Sequence, residues 1–285
     1  LGVEHVHVHS CGDAANVALF ANQLSELSYS VTLHNPIVTY GPNQPQKWRH
    51  ARFAIVITNE ILSEVEEQLH GALPEKVYVA PMGVDEHAFR RIEPYEPYSG
   101  SGRFRIFSCS RLNPGKAVDD LIRALADLTR RGLNAELRIA GSDDVGGGYR
   151  RELEALATEM GVADRTHFLG SVSEAEVLRE LRNAHAFALA SLAEPLGIAI
   201  AEAMAVEVPV VATRAGGVPN LVDDGHDGLL VAPRAPDEIA DALEQIATDS
   251  TLASALSSRS REKVTRSFHS GISARVIHEA AGATP

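Results

Sequence analysis

Cysteine is almost missing from this chain of 285 residues, which carries only Cys11 and Cys109. Two thiols in strand-like contexts support neither a disulfide framework nor a thiolate metal site, and a reduced, cytoplasmic setting is expected. An excess of basic residues is missing as well. The formal net charge is -12 at pH 7, which argues against the basic face that a DNA or RNA partner requires. No apolar run approaches the roughly 20 residues of a membrane span, and the first residues lack the basic-then-apolar layout of a signal peptide. Peripheral contact with a membrane surface stays compatible with this composition. Pro and Gly are scattered rather than clustered. With 45% hydrophobic and 22% charged residues, the chain reads as globular and long enough for two cores.

What is present is an alternating series. Residues 3–9 alternate as a strand, 14–26 carry helical spacing, and 30–34 form a strand again. A polar stretch with Pro42 and Pro45 follows, then a strand at 53–58, a helix at 61–69 and a strand at 76–80. Residues 81–102, rich in Pro, Gly, Tyr and charge, show no apolar face and read as a linker. A second series places strands at 105–110, 136–140, 167–169, 186–190, 209–213 and 229–232. Between them lie helices at 118–131, 149–160, 174–183, 198–205 and 219–222, and two or three helices close the chain. The predicted fold class is α/β, two Rossmann-like doubly wound domains with parallel sheets. The expected boundaries are 1–94, 95–266 and a closing helix at 267–285 that packs back toward the first domain. Ligands of such sheets sit at the carboxyl ends of the strands.

The unusual residues fall at those ends. Arg111-Leu112-Asn113-Pro114-Gly115-Lys116 sets two cations around a Pro-Gly turn at a helix entry. A fixed guanidinium and a mobile ammonium suit a diphosphate, whose negative charge grows as it leaves. An isolated Arg/Lys pair is more often two solvated charges. The run Glu194-Pro195-Leu196-Gly197-Ile198-Ala199-Ile200-Ala201-Glu202 places two carboxylates across a helix start in an otherwise apolar segment. Burying Glu202 there without hydrogen-bond donors is costly. The two hydroxyls of a ribose supply such donors, and the helix opening at Gly197 offers free amides to phosphate or sugar.

These segments carry a resemblance. Ser110-Arg111-Leu112 through Lys116, Leu137-Arg138-Ile139-Ala140-Gly141, His167-Phe168-Leu169-Gly170, the Glu194 to Glu202 run, Pro209-Val210-Val211-Ala212-Thr213 with Gly216-Gly217-Val218-Pro219, Asp224-Gly225, and Gly228-Leu229-Leu230-Val231 follow in order. The chain resembles the large retaining glycosyltransferase family four, of GT-B architecture. Tyr29-Ser30-Val31-Thr32-Leu33-His34-Asn35-Pro36 and Gly83-Val84-Asp85 with Phe89 make it most similar to the exopolysaccharide and colanic-acid type.

The resemblance implies a nucleoside diphosphate sugar donor, UDP- or GDP-linked, a saccharide or lipid-linked acceptor, and a role in polysaccharide biosynthesis. Arg111 and Lys116 then bind the diphosphate, Glu202 the ribose and Glu194 the transferred sugar. Gly197 and Ile198 touch phosphate or sugar, Gly170 and Val172 lie near the base, and His34 contacts the sugar. Neither a metal nor a resident cofactor is implied. Ala117, Leu196 and Asn220 stand where the family usually has Gly, an aromatic and Glu. The resemblance also implies a strand and a glycine-rich turn ahead of the segment matching 3–9. Without them the first domain is expected to be incomplete, with that strand an uncovered edge that folds differently, pairs with another chain or is marginally stable.

Other readings compete. His5, His7 and His9 superficially resemble the His-x-His pair of metal-dependent hydrolases, although no eight-fold β-α series is present to complete such a site. A truncated, non-catalytic nucleotide-sugar-binding protein and a GT-B sugar-nucleotide epimerase are alternatives of the same fold. A nicotinamide enzyme is disfavoured, because Gly146-Gly147-Gly148 lacks the dinucleotide-binding spacing.

Overall fold

The computed structural model describes residues 2–144 and 147–282. The chain divides into two units, Leu1–Gly83 with Phe268–Pro285, and Val84–Ser267.

The first unit runs β1 (His5–His9), α1 (Asp13–Leu24), β2 (Ser28–Leu33), α2 (Gln44–Arg49), β3 (Ala54–Val56), α3 (Asn59–Leu69) and β4 (Val77–Val79). All strands are parallel, in the order β1-β2-β3-β4. Helix α2 falls in the stretch that reads as polar. Pro45 occupies its first turn, where a missing N–H does no harm, and six residues are too few to show a period. Its Trp48 and Lys47 are nonetheless fully buried. Lys47 Nζ donates to the carbonyl of Cys11 at 2.6 Å.

Among the described residues β1 pairs with β2 alone, the edge position expected for it. Its register sets His5, His7 and His9 beside Ser28, Ser30 and Thr32, so this part of the sheet has one face of imidazoles and hydroxyls. Parallel sheets are usually apolar on both faces. Above the other face, α1 leaves Val17, Phe20 and Leu24 exposed at 68%, 60% and 88%.

The second unit continues with β5 (Phe104–Cys109), α4 (Val118–Arg130), β6 (Ala135–Ala140), α5 (Tyr149–Glu159), β7 (Thr166–Gly170), α6 (Glu174–Asn183) and β8 (Ala186–Leu189). Then come α7 (Ile198–Ala205), β9 (Val210–Thr213), α8 (Val218–Leu221), β10 (Leu229–Val231), α9 (Pro236–Thr248) and α10 (Ser250–Ser267). The closing helix α11 (Ser270–Ala280) belongs to the first unit, where Val276, Ile277 and Ala280 pack against Phe53, Ile55 and Ala80. The six strands of the second unit are parallel, in the order β10-β9-β8-β5-β6-β7. Burying the apolar stripe of α4, with Leu121, Ile122, Leu125 and Leu128 all under 4% exposed, holds that helix to the sheet. Arg131 then ties α4 to α9 through Asp241 and Glu244, at 2.6 and 2.8 Å.

The stretch that reads as the start of the linker is bonded into the second unit. Arg91 donates to the carbonyls of Val206 and Arg182, and Arg261 to those of Glu86 and Phe89. Among the described residues no helix is long and apolar enough to cross a membrane.

Candidate functional site

β5 and β8 lie side by side, with Ile106 beside Ala186 and Phe107 beside Phe187. From there the chain departs in opposite directions, β5 toward β6 and β8 toward β9. Such a reversal leaves a crevice outside the carboxyl ends of the two strands. The segments that follow them hold Arg111 to Lys116 and, running from a loop into α7, Glu194 to Glu202, and the amide of Leu192 donates to the carbonyl of Gly115 at 2.8 Å.

Lys116 Nζ meets Glu194 Oε2 at 2.6 Å, with the side chains 18% and 13% exposed. Backbone contacts fix both partners. Lys116 ends a short 3-10 turn, Pro114–Lys116, and Ala117 closes it at φ 46°. That left-handed conformation accounts for the glycine that the resemblance expects at this position. On the other side the amide of Gly217 donates to the carbonyl of Glu194 at 2.8 Å. A Cβ on Gly216 would stand 2.3 Å from that same oxygen, so the Gly-Gly pair lets two backbones touch. Gly141 plays a similar part at the end of β6: its Cβ would lie 1.8 Å from the carbonyl oxygen of Ser110.

Arg111 is on the same rim but more exposed, 3.4 Å from Asp144 Oδ1, while Asn113 Nδ2 donates to Asp144 Oδ2 at 2.7 Å. Sequence reasoning passed over Asp144; the signal available was a pair of acids directly after β6. It also passed over three hydroxyls. Ser108, Ser110 and Ser191 have buried Oγ atoms with no hydrogen-bond partner, and all three belong to the ends of β5 and β8. Orphaned hydroxyls at one rim mark a place where a polar ligand completes the bonding.

Glu202 projects from α7 between the fully buried Ala201 and Ala203. Burial, with the charge of Glu174 adding, raises its pKa from 4.5 to about 7. Its own charge, with burial the larger cause, helps push the Cys109 thiol up to about 11, which ties Glu202 electrostatically to the end of β5. Gly197 precedes α7 and Ile198 begins it, so the first amides there have no partner within the helix. Gly170 ends β7 and accepts from the amide of Gly141 at 2.8 Å, and the half-buried Val172 follows in the turn before α6. The second unit thus gathers Arg111, Lys116, Glu194, Glu202, Gly197 and Ile198 around β5 and β8, with Gly170 and Val172 two strands away. A groove of about 1200 Å³ lies at the opposite rim, by Tyr98, Leu133 and Asn134. No charged side chain lines it among the described residues, so it offers nothing to a diphosphate.

His34 belongs to the first unit and follows β2. Burial, helped by His9, lowers its pKa below 6.5. His5 and His7 use both ring nitrogens on Ser28, Ser30 and Thr32, so they are not arranged as the His-x-His pair of a hydrolase.

A model of the family described as Glycosyl transferases group 1 matches residues 94–263. The chain belongs to that family. Among its relatives, the D-inositol 3-phosphate glycosyltransferase of Saccharomonospora viridis is 30% identical over 275 residues, 93% of this chain and 61% of the relative. The GDP-mannose-dependent alpha-(1-6)-phosphatidylinositol monomannoside mannosyltransferase of Mycobacterium tuberculosis is 36% identical over 197 residues, 65% of this chain and 50% of the relative. The group 1 chain therefore spans between half and two thirds of the length of these two proteins. Their names mention D-inositol 3-phosphate and phosphatidylinositol monomannoside, not exopolysaccharide or colanic acid.

Among solved structures, Anabaena HepE in complex with UDP-glucose matches at a TM-score of 0.84 and 22% identity, over 99% of this chain and 79% of that one. Sucrose-phosphate synthase from Thermosynechococcus elongatus matches at 0.82 and 20%, over 99% and 74%. At such identity the likeness establishes the fold that this group 1 chain shares with them.

Proposed function

We propose that the protein transfers a sugar from a nucleoside diphosphate donor to an acceptor hydroxyl with retention at the anomeric carbon. The observation that carries this reading is the meeting of Lys116 and Glu194 at 2.6 Å where β5 and β8 diverge, with Arg111 and Glu202 on the same rim. Lys116 and Arg111 bind the diphosphate. Glu202 accepts both ribose hydroxyls, Glu194 accepts from hydroxyls of the sugar, the amides of Gly197 and Ile198 face phosphate or sugar, and the base lies by Gly170 and Val172.

In this reading the bond from the anomeric carbon to the diphosphate breaks, and a new bond to the acceptor oxygen forms on the same face. The acceptor proton passes to the departing diphosphate. Preorganised positive charge stabilises the leaving group and supplies most of the rate, so no protein nucleophile and no resident cofactor is assigned. Both donor types have support in related proteins, one named as GDP-mannose-dependent and one solved with UDP-glucose. The acceptor is a hydroxyl of a saccharide, an inositol or a lipid-linked headgroup, met on the cytoplasmic side of a membrane.

Calorimetric titration with UDP-glucose and GDP-mannose tests the site. At least one of them binds the wild-type chain, and Glu202→Ala weakens binding by roughly tenfold or more, since a hydrogen bond to a charged group contributes about 1.5–3 kcal/mol. Equal affinity in wild type and variant removes the assignment.

A further inference from the structure

The loops that leave β5, β9 and β10 at the carboxyl rim of the second sheet carry Arg111, Lys116, Arg214 and Arg234. Each of these cations is already met by an acid of the chain. Lys116 Nζ lies 2.6 Å from Glu194, Arg111 3.4 Å from Asp144, Arg214 2.7 Å from Asp224 and Arg234 2.8 Å from Asp119. The three arginines are well exposed, and pairs of that kind are weak and yield easily to a ligand. The pair of Lys116 and Glu194 differs, because both side chains are largely withdrawn from water. Separating them strands a carboxylate, at a high cost unless other donors replace the ammonium.

The backbones on both sides are pinned. The amide of Lys116 donates to the carbonyl of Asn113 at 3.0 Å, and the carbonyl of Glu194 accepts from Gly217 at 2.8 Å. A change of partner therefore takes place in the two side chains alone. That of Glu194 runs beside the opening of α7, its Cγ 3.4 Å from where a Cβ on Gly197 would stand.

Given the donor reading of this site, we propose that Glu194 makes it discriminate between the nucleoside diphosphate sugar and the nucleoside diphosphate left after transfer, by competing with the diphosphate for Lys116 whenever no sugar is present. With the donor bound, hydroxyls of the sugar donate to the carboxylate and replace the ammonium, which turns to the diphosphate. Once the sugar has left on the acceptor, Glu194 has lost those donors. It recaptures Lys116 and loosens the hold on the product. A clamp made of cations alone does the reverse, since the terminal phosphate of the product ionises further near neutrality and is attracted more strongly than the donor. A preference for one ligand requires a group that meets the two differently, and Glu194 is that group.

Calorimetric titration of the full chain at pH 7.5 with UDP and UDP-glucose, and with GDP and GDP-mannose, tests the proposal. Glu194→Gln removes the charge while keeping the shape and an oxygen for Lys116. For the base that wild type binds, this variant binds the nucleoside diphosphate at least about fivefold more tightly, and the preference for the sugar-bearing ligand falls about tenfold. Asp144→Asn removes an acid from the same rim away from the sugar; it moves both ligands in parallel and leaves the preference within about twofold. Lys116→Gln gives an independent readout: it weakens the donor at least about tenfold and the product by no more than about threefold, because in wild type the product scarcely uses this ammonium. Melting curves verify that each variant is folded, and Lys116→Gln decides the matter even where Glu194→Gln does not fold. Absence of binding of all four ligands to wild type removes the donor reading and this proposal with it. Donor binding accompanied by an unchanged or weaker hold on the product in Glu194→Gln, an equally large loss of preference in Asp144→Asn, or an equal loss of both ligands in Lys116→Gln overturns the proposal and leaves the donor reading standing.

Discussion

Lys116 Nζ and Glu194 Oε2 form an ion pair at 2.6 Å across 78 positions of sequence. Neither side chain is as much as one-fifth exposed. The pair neutralises two charges that the proposed reaction needs separately, so a donor diphosphate competes with Glu194 for the ammonium.

Removing one partner strands the other. Lys116→Met leaves the carboxylate without compensation, and urea unfolding is expected to show a loss of about 1–3 kcal/mol. The double variant Lys116→Met/Glu194→Gln loses less than the sum of the single changes, because neither charge is then left alone. Strict additivity in that cycle would mean that the pair contributes nothing.

Glu202 predicts two opposite pH trends. Its pKa rises from 4.5 to about 7 in the folded protein, so within that window the folded chain holds a proton that the unfolded chain has released. Stability from this group therefore falls as pH rises through the window and levels off above 7. Donor binding runs the other way, since ribose hydroxyls donate to the ionised carboxylate. The affinity for a nucleoside diphosphate sugar, whose phosphates have no group titrating near neutrality, increases from pH 6 to 8 by up to about tenfold. Glu202→Gln flattens the slope in calorimetry, and an unchanged slope in that variant assigns it to another group.

Gly141→Ala is the most damaging small substitution expected at this rim. Its Cβ would stand 1.8 Å from the carbonyl oxygen of Ser110, and a backbone cannot yield as a flexible side chain does. The cost exceeds about 3 kcal/mol, visible as a large drop in melting temperature or as loss of soluble protein. A variant that melts within a few degrees of wild type contradicts the close approach.

Ala117→Gly is expected to stabilise. Ala117 adopts φ 46°, a region costing a residue with a Cβ about 1–2 kcal/mol. Glycine removes that strain while adding about 0.5–1 kcal/mol of unfolded-state freedom. The net gain is up to about 1.5 kcal/mol by chemical denaturation.

Much of this architecture was legible along the chain because period and turn chemistry are local. A strand buried on both faces announces itself in a run such as Phe104–Cys109, and an amphipathic helix in Val118–Arg130. The short helix Gln44–Arg49 escaped because fewer than two turns carry no period. Asp144 and the orphaned hydroxyls of Ser110 and Ser191 escaped because an acid or a serine in a loop looks the same whether solvent or a ligand faces it.

The order of residues alone determined the alternation of elements, the parallel sheets and the types of charged group at the strand ends. Tertiary structure decided which ends share a rim. Nothing local places β8 beside β5 or brings Lys116 to Glu194; those follow from packing every strand into one sheet with its apolar faces covered. The same packing removes water from Glu202 and so moves its proton affinity toward neutrality, a property of the surroundings rather than of the residue.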